Sequence, residues 1–183
     1  MGEIAAFADT SPLVYFAKLT SLRTLQAILG TVGVPPAVYQ EAVAVGKLRG
    51  KPDAITIERA MDAGVLVRHE MDEGERALAG ELTSAAPSLG RGECEAIACA
   101  EARGVPVILQ DRKARAIAGA RGVKTLYPHN VLVYGLLRRR ISLEDFKGLT
   151  FGLAKLTDMS VTSLLELQEQ AAEIDRLLGR GDE

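Results

Sequence analysis

Glu93–Leu126 reads ECEAIACAEARGVPVILQDRKARAIAGARGVKTL, and this stretch decides the fold. From Glu93 to Arg103 small apolar residues recur at helical spacing, and Gly104 supplies a stop. Val105–Leu109, "VPVIL", is a continuous apolar run of strand length, the pattern of a strand buried on both faces. Asp111 opens a second helix that runs to about Arg121, Gly122 ends it, and Val123–Leu126 is the next strand. A further helix spans about Asn130 to Arg140. Strands alternating with helices through short glycine connections make βαβ units. They predict an α/β fold with a central parallel sheet covered by helices on both faces.

The first half fits the same frame. Ile4–Ala8 reads as a short buried strand, followed by helices over Pro12–Lys18 and Ser21–Leu29 and a brief strand at Val32–Val34. Ala37–Val45 reads as a helix closed by Gly46, and Lys47–Pro52, "KLRGKP", as a basic turn. A helix over Ala54–Ala63, a strand over Val65–Glu70, a helix over Asp72–Leu82 and a loop over Ser84–Gly90 complete it. The tail from Ser142 to Leu178 reads as two helices. The second carries Leu164, Leu167, Ala171, Ile174 and Leu178 as one apolar stripe.

Composition narrows the class. With 183 residues, 48% hydrophobic and 25% charged, the chain can bury a real core. Aromatics are only 4% and tryptophan is absent, so Ala, Val, Ile and Leu must fill the interior. A formal charge of −2 makes any nucleic-acid contact a matter of local basic residues rather than of a global field. Cys94 and Cys99 lack metal-type spacing and read as small buried apolar residues. Two histidines, His69 and His129, do not support a zinc site. No basic, apolar leader and no run of bilayer length stands out, so a cytoplasmic protein without a membrane contact is expected.

Four acids stand out by position. Asp9 follows the first strand, Glu41 lies within "PPAVYQEAV", Glu93 opens its helix, and Asp111 follows "VPVIL". Aspartates ending two neighbouring parallel strands would share one edge of the sheet, and helical carboxylates projecting over that edge would complete a cluster. Like charges so confined raise one another's pKa, and a hard divalent cation such as Mg²⁺ or Mn²⁺ resolves the repulsion. Each acid also has an ordinary reading. Asp9 and Asp111 suit helix N-caps, Glu93 suits a helix N-terminus, and Glu41 suits a solvated helix face.

"ADTSPLVYFAKL", "VPPAVYQEAV", "GRGECEAIACAEARGVPVILQDRKAR" and "GVKTLYPHNVLVYGLLRRRIS" resemble the PIN domain, and more closely a prokaryotic, VapC-like PIN subfamily. The resemblance spans residues 4–141. It implies a three-layer α/β/α sandwich with C-terminal helices, so residues 1–141 are expected to form a nuclease domain. Residues 142–183 would be a helical extension packing on that domain or on a partner. It also implies Mg²⁺- or Mn²⁺-dependent hydrolysis of RNA at an acidic pocket. The family's acids match Asp9, Glu41, Glu93 and Asp111, as metal-holding and catalytic residues, with Thr10 or Ser11 as a polar support. "GECEAI" offers Glu95 as well as Glu93. The two lie about 200° apart around a helix, and Glu93 fits the family pattern without gaps while Glu95 stands in reserve. Arg112, Lys113 and Arg115 flank the pocket aspartate and are the candidate RNA contacts.

A toxin role would bring a small antitoxin as partner, and such toxins commonly pair as homodimers. The competing reading is a PIN protein that binds or regulates with weak catalysis or none. A phospho-acceptor receiver domain fits poorly, since "AFADTS" has one acid and Lys124 precedes the last strand.

Overall fold

The computed structural model describes residues 3–179. Contacts divide the chain into two compact units, residues 1–127 and residues 128–183.

The first unit is built on a five-stranded sheet, all parallel, in the order β3-β2-β1-β4-β5. The strands are β1 (Ile4–Ala8), β2 (Thr31–Val34), β3 (Leu66–Arg68), β4 (Val107–Ile108) and β5 (Thr125–Leu126). Between β1 and β2 lie α1 (Thr10–Lys18) and α2 (Leu22–Leu29). Between β2 and β3 come α3 (Pro36–Tyr39), a π-helical turn over Gln40–Val45, α4 (Gly46–Leu48) and α5 (Pro52–Asp62). Between β3 and β4 lie α6 (Glu73–Ala85) and α7 (Arg91–Arg103), and between β4 and β5 lies α8 (Arg112–Ala120). Helices α1, α2 and α5 pack together, with α5 on β3, while α6 packs on α7 and α7 on β1 and β4. Right-handed crossovers that step in one direction to β3 and then return past β1 place these groups on opposite faces. The result is the three-layer α/β/α sandwich.

The core follows from the composition. Helix α7 is buried nearly all round through Ala96, Ile97, Ala98, Cys99 and Ala100. It meets Phe7, Leu82, Val107 and Leu109 in one apolar cluster. Cys94 and Cys99 are free and buried there, and burial raises both thiols above the ordinary range. Small side chains let a central helix approach the sheet closely, in place of the missing aromatics.

Two local readings are corrected. "VPVIL" forms only two residues of ladder, because Pro106 has no N–H to extend it. Gly46 does not end a helix: its backbone is helical, and the rod from Pro36 to Leu48 runs straight through it. A Cβ at Gly46 would come 2.7 Å from the Cβ of Ala54, so glycine here permits α5 to close on the rod.

The second unit holds α9 (Pro128–Leu137), α10 (Leu143–Leu156) and α11 (Val161–Gly179), packed on one another. A capping box joins Ser142 and Asp145 at the start of α10. The stripe on α11 faces inward, with Leu164 and Ala171 buried and Leu167, Ile174 and Leu178 half-buried.

Candidate active site

Strand order reverses between β1 and β4, since β2 and β3 lie to one side and β5 to the other. Crevices of open α/β sheets form at such a point, beyond the strands' C-terminal ends. Asp9 leaves β1 there, its N–H donating to the Ile108 carbonyl at 3.1 Å, and Asp111 follows β4 on the neighbouring strand.

Asp9 is 7% exposed. It occupies the N-cap position of α1, yet its side chain makes no cap hydrogen bond, and Pro12 at the third helical position has no N–H to give. Burial pushes its carboxyl up to about 7. The Thr10 and Ser11 amides pull the other way, while Glu93 and Glu41 push it further up. The two charges that push it up are both carboxylates.

Glu41 sits in the π-helical turn, where one extra residue re-aims the side chains of a helix, a feature frequent at functional sites. The Thr10 hydroxyl donates to Glu41 Oε2 at 2.8 Å. Glu93 is half-buried at the start of α7 and accepts the Gly90 N–H at 2.8 Å. Its carboxyl is raised by burial against the pull of the Gly90 amide, with Asp111 and Glu41 adding to the rise. Asp111 caps α8, its Oδ1 accepting the Ala114 N–H at 2.8 Å. Gly92 closes the arrangement. A Cβ there would lie 3.2 Å from Asp9 Oδ1 and 3.1 Å from Glu41 Oε2, so its hydrogen keeps open the space both acids face.

The remaining candidates separate by environment. Glu95 is buried and spoken for: Oε2 accepts the Ala37 N–H at 2.7 Å and Oε1 accepts Arg91 Nε at 2.9 Å. It thereby caps the start of α3, a fixed structural duty. Arg112 and Lys113 are exposed on the first turn of α8. Arg115 instead lays its guanidinium over the Tyr127 ring, 3.2 Å from the centroid. Ser11, at the second position of α1, acts on Asp9 through its amide.

A second polar cluster escaped the sequence reading. Glu75 is fully buried, with Oε2 bonded to His69 Nε2 at 2.7 Å and to the Asp72 N–H at 2.9 Å, and Oε1 to Arg103 Nε at 2.7 Å. Burial raises its carboxyl, but the Asp72 amide, His69 and Arg103 together hold it below the ordinary value. His69, Glu75 and Cys99 are the one trio among the described residues whose ligand atoms all lie within 4.8 Å of one another. With both Glu75 oxygens engaged and an arginine against one, the trio works as a closed buried network. The signal was the D-x-x-E capping box of Asp72 and Glu75.

A three-layer parallel sandwich carrying carboxylates at its switch point is the build of a nuclease-type domain. A family profile described as a PIN domain matches residues 5–149, and the chain belongs to the PIN-domain family. A comparison with curated proteins gave no match. PIN domains are in general nucleases that act on nucleic acid with divalent metal ions. The residues at this sheet edge suit such an ion in their chemistry: an all-oxygen donor set, a buried carboxylate whose charge other carboxylates oppose, and a gap that a single methyl would fill. Among the described residues, however, no three of these acids bring ligand atoms within 4.8 Å of one another. No helix among the described residues is long and apolar enough to cross a membrane.

Proposed function

We propose that this chain is a Mg²⁺- or Mn²⁺-dependent endoribonuclease, the toxin of a VapC-like toxin–antitoxin pair. The observation that supports the reading is electrostatic: Glu93 and Glu41 raise the Asp9 carboxyl, and Asp111 and Glu41 raise that of Glu93, with Asp9 and Asp111 following the neighbouring strands β1 and β4. Asp9, Glu41, Glu93 and Asp111 hold the metal, directly or through water. Bound there, the ion lowers the pKa of water and offsets charge on phosphate. Thr10 fixes the Glu41 carboxylate, and the Gly90 and Ala114 amides fix Glu93 and Asp111, so each of these acids keeps one oxygen for the ion. Arg112 and Lys113 meet the substrate backbone as exposed cations beside Asp111.

A small antitoxin would block the acidic crevice with a cationic side chain. A homodimer would use exposed apolar side chains of the second unit such as Phe151, Val161 and Leu165. Cleavage of labelled single-stranded RNA by the wild-type protein and by Asp9→Asn and Asp111→Asn tests the reading. Metal-dependent cleavage by the wild type alone is the expected result, and equal cleavage by all three proteins overturns it. The competing reading, a PIN protein that binds RNA without cutting it, draws on the commitment of one oxygen of Glu93 and of Asp111 to helix capping. Metal-dependent RNA binding without products would identify it.

A further inference from the structure

Several cations of the first unit are matched by carboxylates of that unit. Lys47 pairs with Glu58, Arg91 with Glu95, Arg103 with Glu75, and Arg121 with Glu101. Lys18, Arg49 and Lys51 are exposed, and among the described residues none has an acidic ion-pair partner; what they share is one cavity wall. They line one cavity of about 220 Å³ whose wall also contains Thr10 and Glu41, two members of the acid site, and the buried Asp53, so three cations face two carboxylates there. The loop that carries two of them is held firmly. Arg49 N–H donates to the Val45 carbonyl at 3.1 Å, Gly50 N–H to Lys47 at 2.9 Å and Lys51 N–H to Gly46 at 2.9 Å. Gly46 lets α5 close against the rod, which places this turn beside the last residue of α1.

Four carboxylates at the crevice repel a polyanion, so a strand reaching them needs positive charge along its approach. Arg112 and Lys113 offer it at the Asp111 end. We propose that Lys18, Arg49 and Lys51 form the corresponding phosphate track at the Glu41 end, so that one single-stranded RNA segment lies in this groove on one side of the scissile bond. The assignment rests on the nuclease reading for its substrate and adds the path the strand takes. Lys47, turned onto Glu58, is outside the track although it belongs to the same basic turn.

The test is binding of a short fluorescein-labelled single-stranded RNA, followed by anisotropy over a range of salt concentrations in Mg²⁺. It uses the Asp9→Asn protein, so that nothing is cut, with and without the added substitutions Lys18→Ala, Arg49→Ala and Lys51→Ala. Losing three phosphate contacts lowers the slope of log K against log salt by roughly 2, at about 0.7 per contact to a single strand, and weakens binding about tenfold or more. Arg49→Lys alone retains most of the binding, and Lys124→Ala, before β5 at the opposite end of the strands, leaves it unchanged. In otherwise wild-type protein the same triple substitution raises KM far more than it lowers kcat. An unchanged slope and affinity overturn the track. If the wild type cleaves RNA and the triple variant matches it, the track falls and the nuclease reading stands. If the wild type does not cleave but the slope still drops, the track stands and the nuclease reading falls.

Discussion

Asp9→Asn separates the cost of the site from its use. In the folded chain the Asp9 carboxyl is raised from its ordinary 3.8 to about 7, first by burial and then by Glu93 and Glu41. Below the unfolded value both states hold the proton and the group is neutral to stability. Between the two values the folded state retains a proton that the unfolded state has lost. Stability therefore declines as pH rises, until the folded group also ionises. At 1.36 kcal/mol per pH unit, the whole span is roughly 4 kcal/mol, of which about 2.7 kcal/mol falls between pH 5 and pH 8.5. For a chain of this length that corresponds to a fall in Tm of about 5–11 °C. Calorimetric melting in EDTA at the two pH values is the assay. The wild type loses this increment at pH 8.5, while Asp9→Asn matches the wild type near pH 5 and exceeds it at pH 8.5. Saturating Mn²⁺ restores the wild type at high pH, by about 2.7 kcal/mol at a hundredfold excess over Kd, and leaves the variant nearly unmoved. An Asn variant that keeps the full wild-type difference between the two pH values refutes the assignment of the penalty to Asp9.

Three further perturbations probe other links. Glu75→Gln breaks the buried network with His69 and Arg103 and is expected to cost about 3–5 kcal/mol in urea unfolding, with RNA cleavage surviving below the melting point. Gly92→Ala adds a methyl 3.1 Å from Glu41 Oε2 and 3.2 Å from Asp9 Oδ1. The fold is expected to tolerate it, helped by up to about 1 kcal/mol of helix propensity, while Mn²⁺ affinity by calorimetry weakens at least tenfold. Gly46→Ala gains the same propensity but collides with Ala54 at 2.7 Å, and a net loss of about 1–3 kcal/mol by denaturant melting is expected.

Most of the architecture was legible because it rests on one periodicity. The alternation from Glu93 to Leu126 is enough to require parallel strands with helices on both faces, and β1 was readable to the residue. What escaped depends on contacts between segments distant in sequence. A glycine after an amphipathic run normally marks a helix end, and only the approach of Ala54 shows why Gly46 stays inside one. Glu93 and Glu95 look alike in the chain. Their duties part because the Ala37 amide and Arg91 meet one of them, while Asp111 and Glu41 face the other. Arg115 reads as a free cation until Tyr127 is seen beneath it. The π-helical turn that aims Glu41 has no sequence signature at all.

The four acids are also unequal in a way that bears on how the site is held ready. Glu41, Glu93 and Asp111 are each pinned through one oxygen, by the Thr10 hydroxyl, the Gly90 amide and the Ala114 amide, at 2.8 Å in every case. Two of these bonds also satisfy helix termini that would otherwise be left open. Asp9 has only the pull of the Thr10 and Ser11 amides against much the deepest burial of the four, which is why the penalty gathers on it. Three acids are thus held in position by the fold, and Asp9, raised to about 7 chiefly by its burial, is the one expected to give up a proton when a cation arrives. Metal binding near pH 6 should then release close to one proton from Asp9 and about half a proton at pH 7, and the release should fade above pH 8 as Asp9 ionises unaided. Calorimetric titrations in buffers of different ionisation enthalpy measure that number directly. A release near zero from pH 6 to pH 9 would show that Asp9 is charged before the ion arrives, and the division of labour among the four acids would be wrong.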